Sequence, residues 1–197
     1  MFVMVKVILF DLGNVMISYR PNEYFRYLSK ATGTPFQKVL KLLNNPGKRM
    51  ELGSMHASQF DNAVSSKFGS EVMDWATYFA RHAHVKPEVM RFAKELGRKG
   101  YVIGCLSNVD KPSYDYMMKN LDLSVFKRKF ASFKIGARKP DMRIYRYAIR
   151  KLKVKPSEIV FLDDMKANVI GARKAGIKAV HFTNLKDARK KVYSYLC

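Results

Sequence analysis

The sequence predicts an α/β protein: a Rossmann-like parallel sheet flanked by helices, with an inserted α-helical unit near the start of the chain. Three observations carry that expectation. Residues 3–10 form an apolar, β-branched run broken only by Lys6, as in a strand covered on both faces. From Asn22 to about Ala83, apolar residues recur at spacings of three or four with no strand-like run between them. After Pro87, short apolar runs alternate with amphipathic stretches, the order that builds a parallel sheet with helices on both sides.

The elements follow in order. After the first strand, Asp11-Leu12-Gly13-Asn14 reads as a loop. The insertion then carries helical sets at Tyr24, Phe25 and Leu28; at Phe36, Val39, Leu40 and Leu43; at Phe60, Val64 and Phe68; and at Val72, Trp75 and Phe79. Thr34-Pro35, Asn44-Asn45-Pro46-Gly47 and Phe68-Gly69-Ser70 punctuate it into short helices, and Ser58 with Asp61 reads as a helix cap. Beyond Pro87 the expected order is helix 87–97, strand 101–106, helix 114–120, helix 141–152, strand 159–162, helix 167–175 and strand 179–182. Gly97, Gly100 and Gly176 fall where helix stops are needed. Trp75, Phe79 and the methionines are most simply helix core.

The chain of 197 residues is 48% hydrophobic and 27% charged, a globular composition that excludes disordered and fibrous classes. The apolar start is too short to span a bilayer and lacks a cleavage site, so no membrane insertion is expected. Cys105 and Cys197 form no disulfide framework and no thiolate metal site, which favours a reducing, cytoplasmic setting. A net charge of +21 would attract polyanions or phosphorylated substrates. The basic residues are scattered through 38–49, 91–99, 127–139, 143–155 and 186–191 without a zinc finger, RNP-type strand or basic zipper. Solvated basic helix faces are expected rather than specific nucleic-acid recognition. Nothing in the sequence sets an oligomeric state.

In an open parallel sheet, ligands collect at the carboxyl ends of the strands. Those ends carry Asp11-Leu12-Gly13-Asn14-Val15, Ser107-Asn108 and Asp163-Asp164, with Arg138-Lys139-Pro140 before a helix. Clustered carboxylates suit a hard cation such as Mg²⁺, and a lysine with hydroxyl and amide donors suits a phosphate. Taken singly, each has a plainer reading: Asp11 a turn or cap residue, Ser107-Asn108 a strand-end turn, Lys139-Pro140 a helix entry. His56, His82, His84 and His181 lack metal-ligand spacing and read as surface or insertion residues.

The four motifs in this order resemble the haloacid dehalogenase (HAD) superfamily, and the resemblance covers the whole chain. Residues 138–145, 156–164 and 175–177 are similar to its C1-capped subfamily I. That branch includes the phosphatase domain of soluble epoxide hydrolase and sugar phosphatases with the Asp-Leu-Gly-Asn form of the first motif. The resemblance implies a core of 1–15 and 87–197 and a helical cap of 16–86. It further implies a Mg²⁺-dependent phosphomonoester hydrolase working through an aspartyl-phosphate, on a small phosphorylated metabolite such as a sugar phosphate resembling glucose 1-phosphate. Asp11 would be the nucleophile; Asp11, the Gly13 carbonyl and Asp164 would hold Mg²⁺; and Ser107, Asn108 and Lys139 would bind the phosphoryl group, with Lys139 also catalytic. Asp163 would support the metal site and Asn168 brace its loop. The segment 48–56, a charged, glycine-containing loop with His56, is the candidate specificity loop, or else a solvated connection.

One departure matters. The family's usual phosphatase motif has a second Asp two residues after the nucleophile, as general acid, where this chain has Gly13. A general acid contributes about 10²–10⁴-fold. Turnover is therefore expected to be slow on alkyl phosphates and better on activated leaving groups. The competing expectation is a weak or inactive phosphate-binding, regulatory protein on the same fold. A 2-haloacid dehalogenase fits less well, since attack on a haloacid needs no metal and gains nothing from the Asp163-Asp164 pair. A phosphomutase would need the missing acid.

Overall fold

Five parallel strands in the order β3-β2-β1-β4-β5 form the sheet in the computed structural model, which describes residues 4–19 and 21–196. They are β1 (Val7–Phe10), β2 (Val102–Ser107), β3 (Arg128–Ala131), β4 (Ile159–Asp163) and β5 (Lys178–His181). β1 sits in the middle, with Phe10 level with Cys105 of β2 and Leu162 of β4. Its alternation divides the core. Ile8 and Phe10 face one side, against Phe92 of α5 (Pro87–Arg98), Met117 of α6 (Lys111–Asn120) and Val192 of α10 (Leu185–Leu196). Val7 and Leu9 face the other, against Ile144, Tyr145 and Ala148 of α8 (Met142–Leu152) and Val169 of α9 (Lys166–Lys174). Burial on both faces is why β1 and β4 read as unbroken apolar runs.

Between β1 and α5 lie four helices: α1 (Pro21–Thr32), α2 (Phe36–Glu51), α3 (Ala57–Phe68) and α4 (Trp75–His82). Their facing sides carry an aromatic cluster in which the Trp75 ring lies 5.2 Å from Tyr24, 5.7 Å from Tyr19 and 6.2 Å from Phe60. The helical insertion expected from the spacing pattern is thus present.

Several details depart from expectation. The first strand is shorter: Met4 is 78% exposed and pairing begins at Val7, while Val3 lies outside the described residues. α2 runs through Asn44-Asn45-Pro46-Gly47, with Pro46 inside it, because its apolar stripe of Val39, Leu43 and Met50 stays buried on both sides of the proline. The cap of α3 is at His56, whose N–H donates to Gln59 Oε1 at 2.9 Å, and Ser58 lies within the helix. Gly97 is likewise inside α5. β3, the short α7 (Ser132–Ile135) and α10 were not expected. Among the described residues, no helix is long and apolar enough to cross a membrane.

Candidate active site

The carboxyl ends of β1, β2 and β4 meet below α1, α2 and α4, around a cleft of about 670 Å³. Asp11 follows β1, and its N–H donates to Leu162 O at 2.8 Å, which fixes the end of β1 against β4. Lys139, fully buried, reaches the same point from the loop before α8. Its ammonium lies 2.9 Å from Asp11 Oδ1 and 2.6 Å from Asp163 Oδ2, and donates to Leu106 O at 2.9 Å. The Asn108 side chain positions it: Asn108 Nδ2 donates to Lys139 O at 3.0 Å, and Lys139 N–H donates to Asn108 Oδ1 at 2.7 Å.

Asp163 is bound on all sides. Besides Lys139, it accepts from Met165 N–H at 2.8 Å and from Asn168 Nδ2 at 3.0 and 3.1 Å. Asn168 is itself buried. These bonds leave Asp164 as the more open member of the pair, with Oδ2 accepting from Asn14 Nδ2 at 2.7 Å and its carbonyl 2.9 Å from His181 Nε2. Asn14 has a positive φ of 56°, a conformation that Asn tolerates better than most residues. Lys86 Nζ donates to its carbonyl at 2.6 Å.

Carboxylate oxygens of Asp11, Asp163 and Asp164 all lie within 4.8 Å of one another. Three carboxylates against the single Lys139 ammonium leave two negative charges, and the donors are hard oxygens, so the cluster fits a divalent cation such as Mg²⁺. Electrostatics agree. Burial raises the Asp11 carboxyl to about 7; Lys139 opposes the rise, Asp163 adds to it, and the Ser107 hydroxyl opposes it. Burial would lower Lys139, but Asp11 and Asp163 outweigh it and hold the ammonium charged. Cys105, behind the site, is pushed by burial up to about 12 and is no nucleophile.

All eight residues singled out in the sequence come together. Asp11, Gly13, Ser107, Asn108, Lys139, Asp164 and Asn168 line the cleft, and Asp163 lies beneath it. The candidate specificity segment divides: Lys48, Met50 and Glu51 line the cleft from the last turn of α2, whereas His56 is outside that lining. Glu51 joins the helical insertion to the site. Arg138 Nε donates to its carboxylate at 2.7 Å, and Ser132 Oγ donates to its carbonyl at 2.6 Å. Gly53, at φ +72°, brings this turn so close to α7 that a Cβ there would lie 2.5 Å from Phe133 O. Gly13 is the reverse case: a Cβ there would meet nothing nearer than Tyr19 O at 3.7 Å.

Sequence reasoning missed Asn14, Lys86, Tyr19 and the cleft-facing role of Trp75. Asn14 stood inside the quoted first motif, adjacent to Gly13, and was the one available signal.

A model of the haloacid dehalogenase-like hydrolase family matches residues 5–176, and the chain belongs to that family. Its relatives include phosphatases. It is 24% identical over 186 residues to the sesquiterpene phosphatase astK of Aspergillus oryzae, covering 91% of this chain and 90% of that protein. It is 23% identical to a D-ribitol-5-phosphate phosphatase of Bacteroides thetaiotaomicron, covering 96% of this chain and 97% of that one. It also matches the drimenol cyclase drtB of Aspergillus calidoustus at 25% identity, where 96% of this chain spans only 36% of the longer protein. A HAD family enzyme from Bacteroides thetaiotaomicron, in complex with magnesium and inorganic phosphate, superposes with a TM-score of 0.74 at 21% identity, over 89% of this chain and 93% of that one. The chain is thus a HAD-like hydrolase with named phosphatases among its relatives.

Proposed function

We propose that this protein is a Mg²⁺-dependent phosphomonoester hydrolase of the C1-capped kind, with residues 16–86 as cap and 1–15 with 87–197 as core. The observation that carries this reading is the pairing of Asp11 with Lys139 at the floor of the cleft, beside Asp164. Asp11 attacks phosphorus in line, the leaving oxygen departs with the bonding pair and takes a proton from water, and water then hydrolyses the aspartyl-phosphate to free Asp11 and phosphate. Ser107, the Asn108 amide and Lys139 hold the transferring oxygens. Lys139 also aims Asp11 and opposes the upward pull of burial on its carboxyl, and Asp163 and Asn168 hold Lys139 and the loop after β4 in position. Asp11, Asp164 and the Gly13 carbonyl are the residues to hold Mg²⁺. That ion supplies charge neutralisation, so that one anion can approach another.

The cleft volume suits a small phosphorylated metabolite, from a sugar phosphate such as glucose 1-phosphate to a short terpenoid phosphate. The relatives act on both kinds by name. The first test is Mg²⁺-dependent phosphate release from aryl, acyl, anomeric-sugar and alkyl phosphates, with Asp11→Asn as control. Release abolished by that substitution supports the reading. No release from any class, by folded protein that binds Mg²⁺, shifts it to a phosphate-binding protein that has lost turnover with the acid at Gly13.

A further inference from the structure

More than half of the chain's net charge comes from one stretch. Residues 123–157 hold twelve lysines and arginines against a single carboxylate, Asp141, a surplus of eleven in the total of +21. They include β3, α7 and α8, and β3 is the edge strand at the opposite end of the sheet from β5. Between these elements lies a groove of about 330 Å³. Lys127, Arg128 and Lys129 line it from β3 and the residue before it, Lys134 from α7 and Lys151 from α8. The groove shares no lining residue with the cleft that holds Asp11 and Lys139.

No acidic residue lines this groove, and its five cations are exposed and form no ion pair among the described residues. Other surface cations are matched, as Lys6 is with Glu158, Lys94 with Asp122 and Arg189 with Glu95. Five like charges gathered in a concavity repel one another, and its walls concentrate their field, so a polyanion is drawn in and relieves the repulsion. Four of the five are lysines, compact point charges that meet phosphate oxygens without the fixed fork of an arginine. Such a set suits a chain of phosphates held by charge rather than by sequence. The half-buried Tyr147 ring lines the same groove, with Lys151 Nζ 5.6 Å and Arg150 Cζ 5.7 Å from its centre. A basic groove that also holds an aromatic ring is the arrangement by which single strands are bound.

We propose that this groove binds single-stranded nucleic acid through its phosphate backbone, without reading its sequence, at a site separate from the cleft. The geometry disfavours other polyanions. A duplex is met by a helix or ribbon that enters its groove, whereas these cations line a hollow. An acidic peptide added as a strand needs a free edge, and half of β3, Phe130 and Ala131, is buried. An anionic membrane calls for exposed apolar anchors. The large apolar side chains that are exposed among the described residues, Met4, Val102, Met165 and Ile170, all lie outside the groove lining.

Binding of a labelled oligothymidylate of about twelve nucleotides is measured by fluorescence anisotropy from about 50 to about 200 mM salt. The wild type is compared with a variant carrying Lys127→Gln, Arg128→Gln, Lys129→Gln, Lys134→Gln and Lys151→Gln together. A control of equal charge carries Lys38→Gln, Lys41→Gln, Lys67→Gln, Lys186→Gln and Lys190→Gln, all exposed residues outside the groove. The groove variant should bind at least about tenfold more weakly, and its slope of log affinity against log salt should be shallower by about 3.5, as when five phosphates of a single strand lose their partners. The control should lose less than about threefold. In the unaltered protein, bound oligonucleotide should slow acetylation of Lys127, Lys129, Lys134 and Lys151 and leave that of Lys38, Lys41 and Lys67 unchanged. Equal losses in the two variants, uniform protection, or no binding at the lowest salt overturns the inference. So does binding of polyglutamate or of phosphatidylserine vesicles at least as tight as that of the oligonucleotide. Phosphate release is a separate readout, since none of the substituted residues lines the cleft.

Discussion

Lys139 Nζ lies 2.9 Å from Asp11 Oδ1 and 2.6 Å from Asp163 Oδ2, so one buried ammonium holds two carboxylates from different strands. Removing it strands both negative charges in the interior. Lys139→Met should lower stability by about 3–5 kcal/mol at neutral pH, the cost of breaking a buried ion pair from one side. Urea unfolding at neutral and acid pH checks this, and the loss should shrink once the carboxylates are protonated.

Asp11 titrates at about 7 in the folded protein against an ordinary value of 3.8. Between those values the folded chain keeps a proton that the unfolded chain releases. Its contribution to stability is therefore fully present below the lower value and is lost as pH rises through the upper one. In chelator-treated protein, Asp11→Asn should gain thermal midpoint relative to wild type as pH climbs from about 4 to about 8. Mg²⁺ should raise the wild-type midpoint most at the alkaline end, where it meets no competing proton.

Asn14 holds Asp164 Oδ2 at 2.7 Å from a backbone with φ 56°. Asn14→Gly keeps that backbone accessible while deleting the amide. Mg²⁺ affinity should fall by about 10–100-fold, as for other losses of a group that orients a ligand. Isothermal titration with Mg²⁺ reads this directly; unchanged affinity would show that Asp164 needs no such support.

Gly13 has space for a side chain. Gly13→Asp should raise kcat on alkyl phosphates by about 10²-fold while changing aryl phosphates little, because protonation helps a poor leaving group most. Equal effects on both classes would mean that leaving-group protonation is not the missing step.

Much of this architecture could be read along the chain. β1, β2, β4 and β5 announce themselves because burial on both faces demands apolar runs such as Ile159-Val160-Phe161-Leu162. β3 is an edge strand whose first two residues, Arg128 and Lys129, are exposed, so Phe130 and Ala131 alone carry the apolar signal. α10 buries chiefly Ala188 and Val192 amid Lys186, Arg189, Lys190 and Lys191, and reads as a charge run. The site residues were legible where a motif is contiguous. The bond from Asn14 to Asp164 spans 150 positions, and the meeting of Tyr19 with Trp75 depends on how α4 packs, neither of which spacing can reveal.

Two glycines of the cleft region differ in what evolution can do with them. At Gly53 the positive φ and the Phe133 carbonyl close the position to every side chain, so the turn beneath α2 cannot drift. At Gly13 the backbone is ordinary and the nearest obstacle stands 3.7 Å away. Every glycine codon lies a single base from an Asp or a Glu codon. A carboxyl at this position is therefore one point mutation away and the fold leaves room for it, so the missing acid belongs to the chemistry of the site and is not imposed by the packing around it.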